Sequence, residues 1–219
     1  MLIEQGSKLI MIGDSITDAD RNRPVGEGLH DGTGKTYVGM VHSLLGATYP
    51  ERKIRVVNMG VSGNTVRDLK ARWQTDVIQQ KPDWLSILIG INDVWRQFDS
   101  PLISESHVYI DEYEQTLNEL VTVTKPCLKG LVLMSPYYIE PNRNDAMRAT
   151  MDQYGEVVRK IAHENNAIFV DLQAEFDKIL RHCHPNAIAW DRVHPNLVGH
   201  MLIARAFLNA VGYEWNGRV

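Results

Sequence analysis

The sequence LIMIGDS at residues 9–15 is an apolar run of four that leads directly into a glycine, an aspartate and a serine. Such a run is too short for a core helix and is typical of a strand buried on both faces. Similar runs recur at residues 54–57, 84–89, 130–134 and 167–170. Strands that alternate with helices form a parallel sheet covered on both sides. We therefore predict an α/β protein, a three-layer αβα sandwich around a five-stranded parallel sheet.

The segments between these runs carry apolar residues every three or four positions, as on one face of an amphipathic helix. A last helix is predicted to begin near Pro195, because proline is favoured in the first helical turn. No internal repeat or linker interrupts the pattern, and 219 residues suit one domain. We predict a single domain over residues 1–219. The apolar stripes occupy residues 37–45, 66–77, 110–120 and 147–161.

The composition excludes several classes of protein. Hydrophobic residues make up 44% and charged residues 23%, which argues against a disordered chain. The net charge is -4 and no basic run occurs, so nucleic acids and anionic membranes are not expected as partners. No segment has the apolar length of a membrane span, and the apolar run that follows Glu4 is too short for a signal peptide. With two cysteines that match no metal or disulfide spacing, we expect a cytoplasmic protein.

Ser15 is the candidate nucleophile, because it follows the first strand at the carboxyl edge of the sheet, where open α/β proteins bind ligands. Alone, it is just as typical of a helix N-cap. A serine nucleophile needs a general base held by a third group. Asp191 and His194 provide both: their three-residue offset allows the carboxylate to reach Nδ1 and leaves Nε2 to face Ser15. Pro195 favours extended backbone at His194, which places this pair in a loop.

Two further motifs provide candidate donors to an oxyanion. Gly60 follows the second strand, and a backbone N–H without a neighbouring side chain can approach a substrate oxygen closely. Asn92 follows the third strand and carries an amide that can donate to developing negative charge. Each motif alone is an ordinary turn, since Asn and Gly dominate turns. Together with the serine and the Asp–His pair, they fill every role of an acyl-transfer site on one rim of the sheet.

These motifs resemble the four blocks of the SGNH (GDSL-like) hydrolases, in the same order and over nearly the whole chain. The resemblance implies a flavodoxin-like fold. It also implies a triad of Ser15, Asp191 and His194, and an oxyanion hole formed by the N–H groups of Ser15 and Gly60 and the Asn92 amide. Neither a metal nor a cofactor is expected. Asp14 also matches, and we expect it to bond nearby loop backbone.

Within this family, the chain looks most like intracellular bacterial acetylxylan esterases, on the segments GDSITD, GINDVW and WDRVHP. That likeness implies removal of acetyl groups from acetylated xylo-oligosaccharides through an acyl-enzyme. It also implies a homo-oligomer, to which the tail at residues 213–216 could contribute. Trp95, Tyr137 and Trp190 flank the motifs and could stack on a sugar, although each is equally plausible as a core residue.

Other functions stay open. A short-chain acyl or aryl esterase, or a thioesterase, would use the same triad. A non-catalytic module could bind an acetylated sugar without turnover. Asp14, Asp18 and Asp20 could hold Mg²⁺ for phosphoryl chemistry, although no phosphate-binding motif accompanies them. Ser62 sits in a sequence that approaches the nucleophile elbow G-x-S-x-G, but position 64 is asparagine.

Overall fold

The computed structural model describes residues 1–215 and contains a five-stranded parallel sheet. The strand order is β2-β1-β3-β4-β5, which is the flavodoxin-like order. Every residue of β3 and β4 is buried, as expected for strands covered on both faces. The strands are β1 (Lys8–Gly13), β2 (Arg55–Gly60), β3 (Trp84–Leu88), β4 (Gly130–Met134) and β5 (Ile168–Val170).

Helices cover both faces of this sheet. One layer contains α2, α7 and α8, in which α8 contacts both of the others, and the other layer contains α3, α5 and α6. The four-residue α1 lies against β1 and β2, and α4 packs on α6. The helices are α1 (Ser15–Asp18), α2 (Tyr37–Thr48), α3 (Val66–Trp73), α4 (Ile91–Asp99), α5 (Ile110–Thr124), α6 (Ala146–Glu164), α7 (Leu172–Ile179) and α8 (Leu197–Ala210).

The predicted architecture is confirmed. All five apolar runs form strands, and the order and direction of the sheet follow the expected class. The last helix differs in detail: it begins at Leu197, because the side chain of Asn196 accepts from the Val198 and Gly199 N–H groups and caps it. Pro195 lies before that cap.

The carboxyl edge of the sheet collects the motif residues. Gly13 of β1 pairs with Gly60 of β2 on one side and with Leu88 of β3 on the other. The segments that follow these three strands therefore leave the sheet side by side. Within residues 1–215, none of the helices is both long enough and apolar enough to cross a membrane.

Candidate active site

Ser15 is held by the junction of β1 and α1. Asp14 caps α1: its Oδ1 accepts from the Ile16 N–H at 2.9 Å, which confirms the expected bond to nearby backbone. Gly13 is required just before it, since a Cβ there would lie 2.3 Å from the Leu88 carbonyl oxygen and 2.4 Å from Thr17 Oγ1. The serine is thus the first residue of a helix whose start is fixed by a buried carboxylate.

The side chains of Ser15, His194 and Asp191 form a hydrogen-bonded chain. Ser15 Oγ lies 2.8 Å from His194 Nε2, and His194 Nδ1 lies 2.6 Å from Asp191 Oδ2. The imidazole therefore contacts the hydroxyl with one nitrogen and the carboxylate with the other. This is the connectivity that a nucleophile, a general base and an orienting group require.

The Asp191 carboxylate is fixed by its own loop. Its Oδ1 accepts from the N–H groups of Val193 at 3.0 Å and His194 at 2.8 Å, which leaves Oδ2 for the imidazole. Partial burial alone would raise the pKa of Asp191. The hydrogen bonds from the His194 ring and from the two N–H groups outweigh it and lower that pKa overall. The Arg192 carbonyl accepts from the Ile139 N–H at 2.9 Å, which anchors the loop to the segment after β4.

Asn92 lies in the first turn of α4. Gly90 caps this helix with a φ of +129°, a conformation that side-chain-bearing residues rarely adopt. Asn92 Nδ2 donates to the Asn64 carbonyl at 3.0 Å, and its Oδ1 accepts from Arg96 Nη2 at 3.2 Å. Because an amide carries two N–H bonds, one remains for a substrate oxygen.

Gly60 does not fit its predicted role as an oxyanion donor. It is buried, and its N–H donates to the side-chain oxygen of Asn58 at 2.8 Å. A bonded, buried N–H is not available to a substrate. Gly63, in the same loop, is exposed with a φ of +81°, and its N–H makes no hydrogen bond to any residue of the range 1–215. The structure therefore argues against Gly60 as the donor, while a donor from this loop stays a prediction.

Two buried carboxyl groups lie beneath the site. Asp14 and Asp93 are both 0% exposed, and each has one oxygen without a hydrogen-bond partner among the described residues. Burial raises the pKa of Asp14 to about 7 despite the Ile16 N–H. Burial likewise raises the pKa of Asp93 to about 7, against a hydrogen bond from the Val66 N–H and with a contribution from the charge of Asp14. Protonation thus tends to neutralise both groups in the fold.

The three aromatic candidates differ in exposure. Trp190 is 82% exposed beside Asp191, and Trp95 is partly exposed with its ring edge-to-face against His194 at 5.8 Å between centroids. Tyr137 is 0% exposed and packs on Phe176. The Tyr137 prediction is corrected accordingly: its ring belongs to the core and offers no face to a sugar.

The residues behind two rival hypotheses have structural partners. Asp18 forms an ion pair with Arg23 at 2.7 Å and accepts from both the N–H and the hydroxyl of Ser62. The Ser62 hydroxyl therefore donates to a carboxylate, and no histidine within residues 1–215 forms a hydrogen bond with it. Asp18 connects the end of α1 to the loop after β2, and this accounts for a carboxylate at that position.

The fold and the site together place hydrogen-bonded serine, histidine and aspartate side chains at the carboxyl edge of an α/β sheet. Residues 11–202 match the GDSL-like Lipase/Acylhydrolase family, and the chain belongs to that family. The family predicted from the motifs is confirmed.

Individual relatives agree with this assignment. An acetylxylan esterase of Geobacillus stearothermophilus is 62% identical over 98% of both chains. The crystal structure of Axe2, an acetylxylan esterase from Geobacillus stearothermophilus, has a TM-score of 0.97 at 62% identity, over 98% of each chain. LAE5, an alpha/beta hydrolase enzyme from the metagenome of Lake Arreo, Spain, has a TM-score of 0.96 at 56% identity, over 97% of this chain and 98% of its own. The chain is a carboxylic ester hydrolase.

Proposed function

We propose that this chain is a serine esterase that removes acetyl groups from acetylated xylo-oligosaccharides. The observation that carries the proposal is the continuous contact from Ser15 Oγ through the His194 ring to the Asp191 carboxylate. Catalytic mutants of Axe2 carry the changes S15A, D191A and H194A, and this chain has the same residue types at the same numbers.

In the proposed reaction, His194 Nε2 takes the Ser15 proton as Oγ attacks the ester carbonyl. Asp191 holds Nδ1 in its protonated form and stabilises the imidazolium. His194 then returns the proton to the leaving sugar hydroxyl, and an acetyl-serine remains. Water then gives a proton to the same nitrogen as its oxygen attacks the acetyl carbonyl, and His194 returns that proton to Ser15 Oγ as the acyl–oxygen bond breaks and acetic acid leaves.

The negative charge on the tetrahedral oxygen needs donors on the side of the carbonyl away from the histidine. Asn92 provides its second amide N–H, and Ser15 its backbone N–H, which has no hydrogen-bond acceptor within residues 1–215. We assign the role of the third donor to the backbone N–H of Gly63 in place of that of Gly60. Fixed donors at such a site stabilise charge without reorganising during the reaction.

An acetylated xylo-oligosaccharide is the substrate that agrees best with the described relatives and with the side chains around the opening of the site. Axe2 is described as an acetyl-xylooligosaccharide esterase. Trp190 stands at the rim beside Asp191 with most of its ring open to solvent, and an exposed aromatic face is a platform for the apolar face of a pyranose. Trp95 packs against the His194 ring and is therefore better placed than Trp190 to limit the size of the acyl group.

The deciding experiment measures acetate released from acetylated xylo-oligosaccharides, with and without EDTA, by the native protein and by Ser15→Ala. We expect release that survives EDTA and falls at least about a thousandfold in Ser15→Ala, because the nucleophile is lost. No release from the sugar, with Ser15-dependent hydrolysis of p-nitrophenyl acetate, would reject the substrate and keep the mechanism. It would then favour the aryl esterase or thioesterase alternative. Activity that persists in Ser15→Ala would reject the mechanism.

Homo-oligomer formation and the cytoplasmic location stay predictions. Three apolar side chains on the outer face of α8, Leu197, Val198 and Met201, are at least 37% exposed and support an interface with another copy. Of the tail, Tyr213 is buried and Trp215 is exposed, while Asn216 lies outside the described residues. Light scattering of the purified protein would test the oligomer: a monomeric mass would contradict it.

A further inference from the structure

Arg72, near the end of α3, occupies the space between the loops that carry the site. Its side chain is only 15% exposed. Nε donates to Asn64 Oδ1 at 2.7 Å, Nη1 to the Met59 carbonyl at 2.7 Å, and Nη2 to the Gly13 carbonyl at 3.0 Å. An ion pair with Asp76 one turn later, at 2.7 Å, fixes the guanidinium from the helix side.

Two of these acceptors, Gly13 and Asn64, lie close to groups that the reaction uses. The Gly13 carbonyl ends β1, two residues before Ser15, and also accepts from the Val61 N–H at 3.0 Å. Asn64 follows Gly63 directly, and its own carbonyl accepts from the Asn92 amide at 3.0 Å. A single guanidinium therefore connects the end of the nucleophile strand to the loop that orients Asn92.

We propose that Arg72 is a positioning residue for the oxyanion hole. It fixes Asn64 relative to the end of β1, and Asn64 in turn holds the Asn92 amide at the distance from Ser15 that the tetrahedral intermediate requires. Arg72 touches no reacting atom and acts only through these two contacts. The inference rests on the proposed function, because it concerns the stabilisation of an oxyanion formed by attack of Ser15.

The planar fork of arginine is necessary for this role. Its N–H bonds diverge toward Asn64 on one side and Gly13 on the other, and both contacts depend on the rigid geometry of the guanidinium. A lysine keeps the charge on a flexible chain with one nitrogen, which can satisfy only part of this set. Arg72→Lys therefore keeps the positive charge while removing the planar hydrogen-bonding geometry of the guanidinium.

Arg67 provides a matched control on the same helix. It donates to the carbonyls of Glu105 at 2.9 Å and His107 at 2.8 Å and forms an ion pair with Glu112. Like Arg72, it joins an acidic side chain to loop carbonyls. Its contacts lead to the segment before α5 and to the first turn of α5, and to none of the residues assigned to the site, so Arg67→Met reports the cost of losing such a cross-link alone.

The test compares kcat and KM for p-nitrophenyl acetate, with thermal unfolding, in Arg72→Met, Arg72→Lys and Arg67→Met. We expect both Arg72 variants to lose at least about tenfold in kcat with KM within about twofold, because the donors act mainly on the transition state. Arg67→Met should unfold at a lower temperature and keep kcat within about twofold. If Arg72→Met does not fold, Arg72→Lys decides. Native kcat in the Arg72 variants, or an equal loss in Arg67→Met, would overturn the proposal.

A double-mutant cycle with Asn92→Ala tests the connection itself. When the amide is absent, its alignment no longer matters, so Arg72→Lys should cost less in kcat in the Asn92→Ala background than in the native protein. The same factor in both backgrounds would overturn the assigned role. This result is independent of the sugar substrate: failure to release acetate from xylo-oligosaccharides rejects the proposed substrate, whereas equal factors reject only the role of Arg72.

Discussion

The geometry of Asp191 shows why a three-residue offset to the histidine suits this site. One carboxylate oxygen accepts from the N–H groups of Val193 and His194, and this turns the second oxygen toward the His194 ring. The backbone of the loop therefore determines which oxygen meets the imidazole. The three-residue offset alone predicted the contact with Nδ1. The two backbone hydrogen bonds explain why Oδ2 of Asp191, and not Oδ1, makes that contact.

Asp191→Asn should lower kcat by roughly 10³–10⁴-fold, the order of magnitude for replacing the carboxylate of such a triad. The asparagine oxygen would keep the two backbone N–H bonds, so its NH₂ would face Nδ1. Nδ1 of His194 would then have to accept a hydrogen bond from this NH₂, so the ring proton would move to Nε2. With Nε2 protonated, the ring could not take the Ser15 proton. Steady-state kinetics with p-nitrophenyl acetate would check this, with unfolding temperature as a control for the fold. A loss below tenfold in a folded variant would show that the carboxylate does not set the tautomer.

The Gly60 prediction was wrong for a reason visible at the scale of single residues. A glycine at the end of a strand was taken to present a free N–H, but the side chain of Asn58, two residues earlier, accepts that bond. Asn side chains commonly bond the backbone two residues on, so the sequence N-M-G carried this signal. The same side chain also donates to the Thr17 carbonyl at 2.6 Å, a tertiary contact that no local pattern shows.

At the scale of elements, sequence periodicity predicted the long helices and missed α4 and α7. The sequence of α4, INDVWRQFD, does place an apolar stripe on one helical face, formed by Ile91, Val94, Trp95 and Phe98. The polar motif residues Asn92 and Asp93 in its first turn obscured that stripe, because an Asn–Asp pair after a strand is equally typical of a turn. The strands were predicted well because they are buried on both faces, and apolar runs report that directly.

Gly60 nevertheless has a structural role, in the contact between β2 and α1. A Cβ at this position would lie 2.4 Å from the Asp18 N and 2.7 Å from the Thr17 carbonyl carbon, both backbone atoms of α1. Gly60→Ala should therefore displace α1, which carries Ser15. We expect a loss of about 1–3 kcal/mol in the free energy of unfolding and a lower kcat.

The matched control is Gly46→Ala in α2, where nothing lies within 4 Å of the added Cβ. Alanine in a helix interior is favoured over glycine by about 1 kcal/mol, so this variant should be slightly more stable. Thermal unfolding and kcat would be measured for both. A Gly60→Ala protein as stable and active as the native one would show that β2 and α1 can separate without cost.

At the scale of the whole molecule, the sheet edge concentrates charge that the fold must accommodate. Asp14 and Asp93 are fully buried below the site, and burial raises both pKa values to about 7. His200, buried on α8, has its pKa lowered to about 4 by burial and, to a smaller extent, by His194. The sequence identified Asp14 and Asp93 as motif residues. Their complete burial depends on the packing of several elements and could not be read from their neighbours.

The Asp93 carboxyl should make the free energy of unfolding depend on pH. Its pKa is about 7 in the fold against an ordinary value of 3.8, so between these values the folded protein binds more protons than the unfolded one. The contribution of Asp93 to the free energy of unfolding is then fully present below about pH 4, and it is lost as the pH rises through about 7. His200 acts in the opposite sense over most of this range, because its pKa is lowered from the ordinary value of 6.5 to about 4 in the fold.

Asp93→Asn isolates this effect, because asparagine cannot ionise and its oxygen can still accept from the Val66 N–H. The two proteins share His200 and Asp14, so the difference between their unfolding temperatures reports Asp93 and its interaction with Asp14. We expect the variant, relative to the native protein, to gain several degrees between pH 5 and pH 8, at roughly 2–4 °C for each kcal/mol in a chain of this size. Asp111→Asn, at an exposed position in α5, should give no such gain. Parallel curves for Asp93→Asn and the native protein would mean that the Asp93 carboxyl is ionised in the fold despite its complete burial.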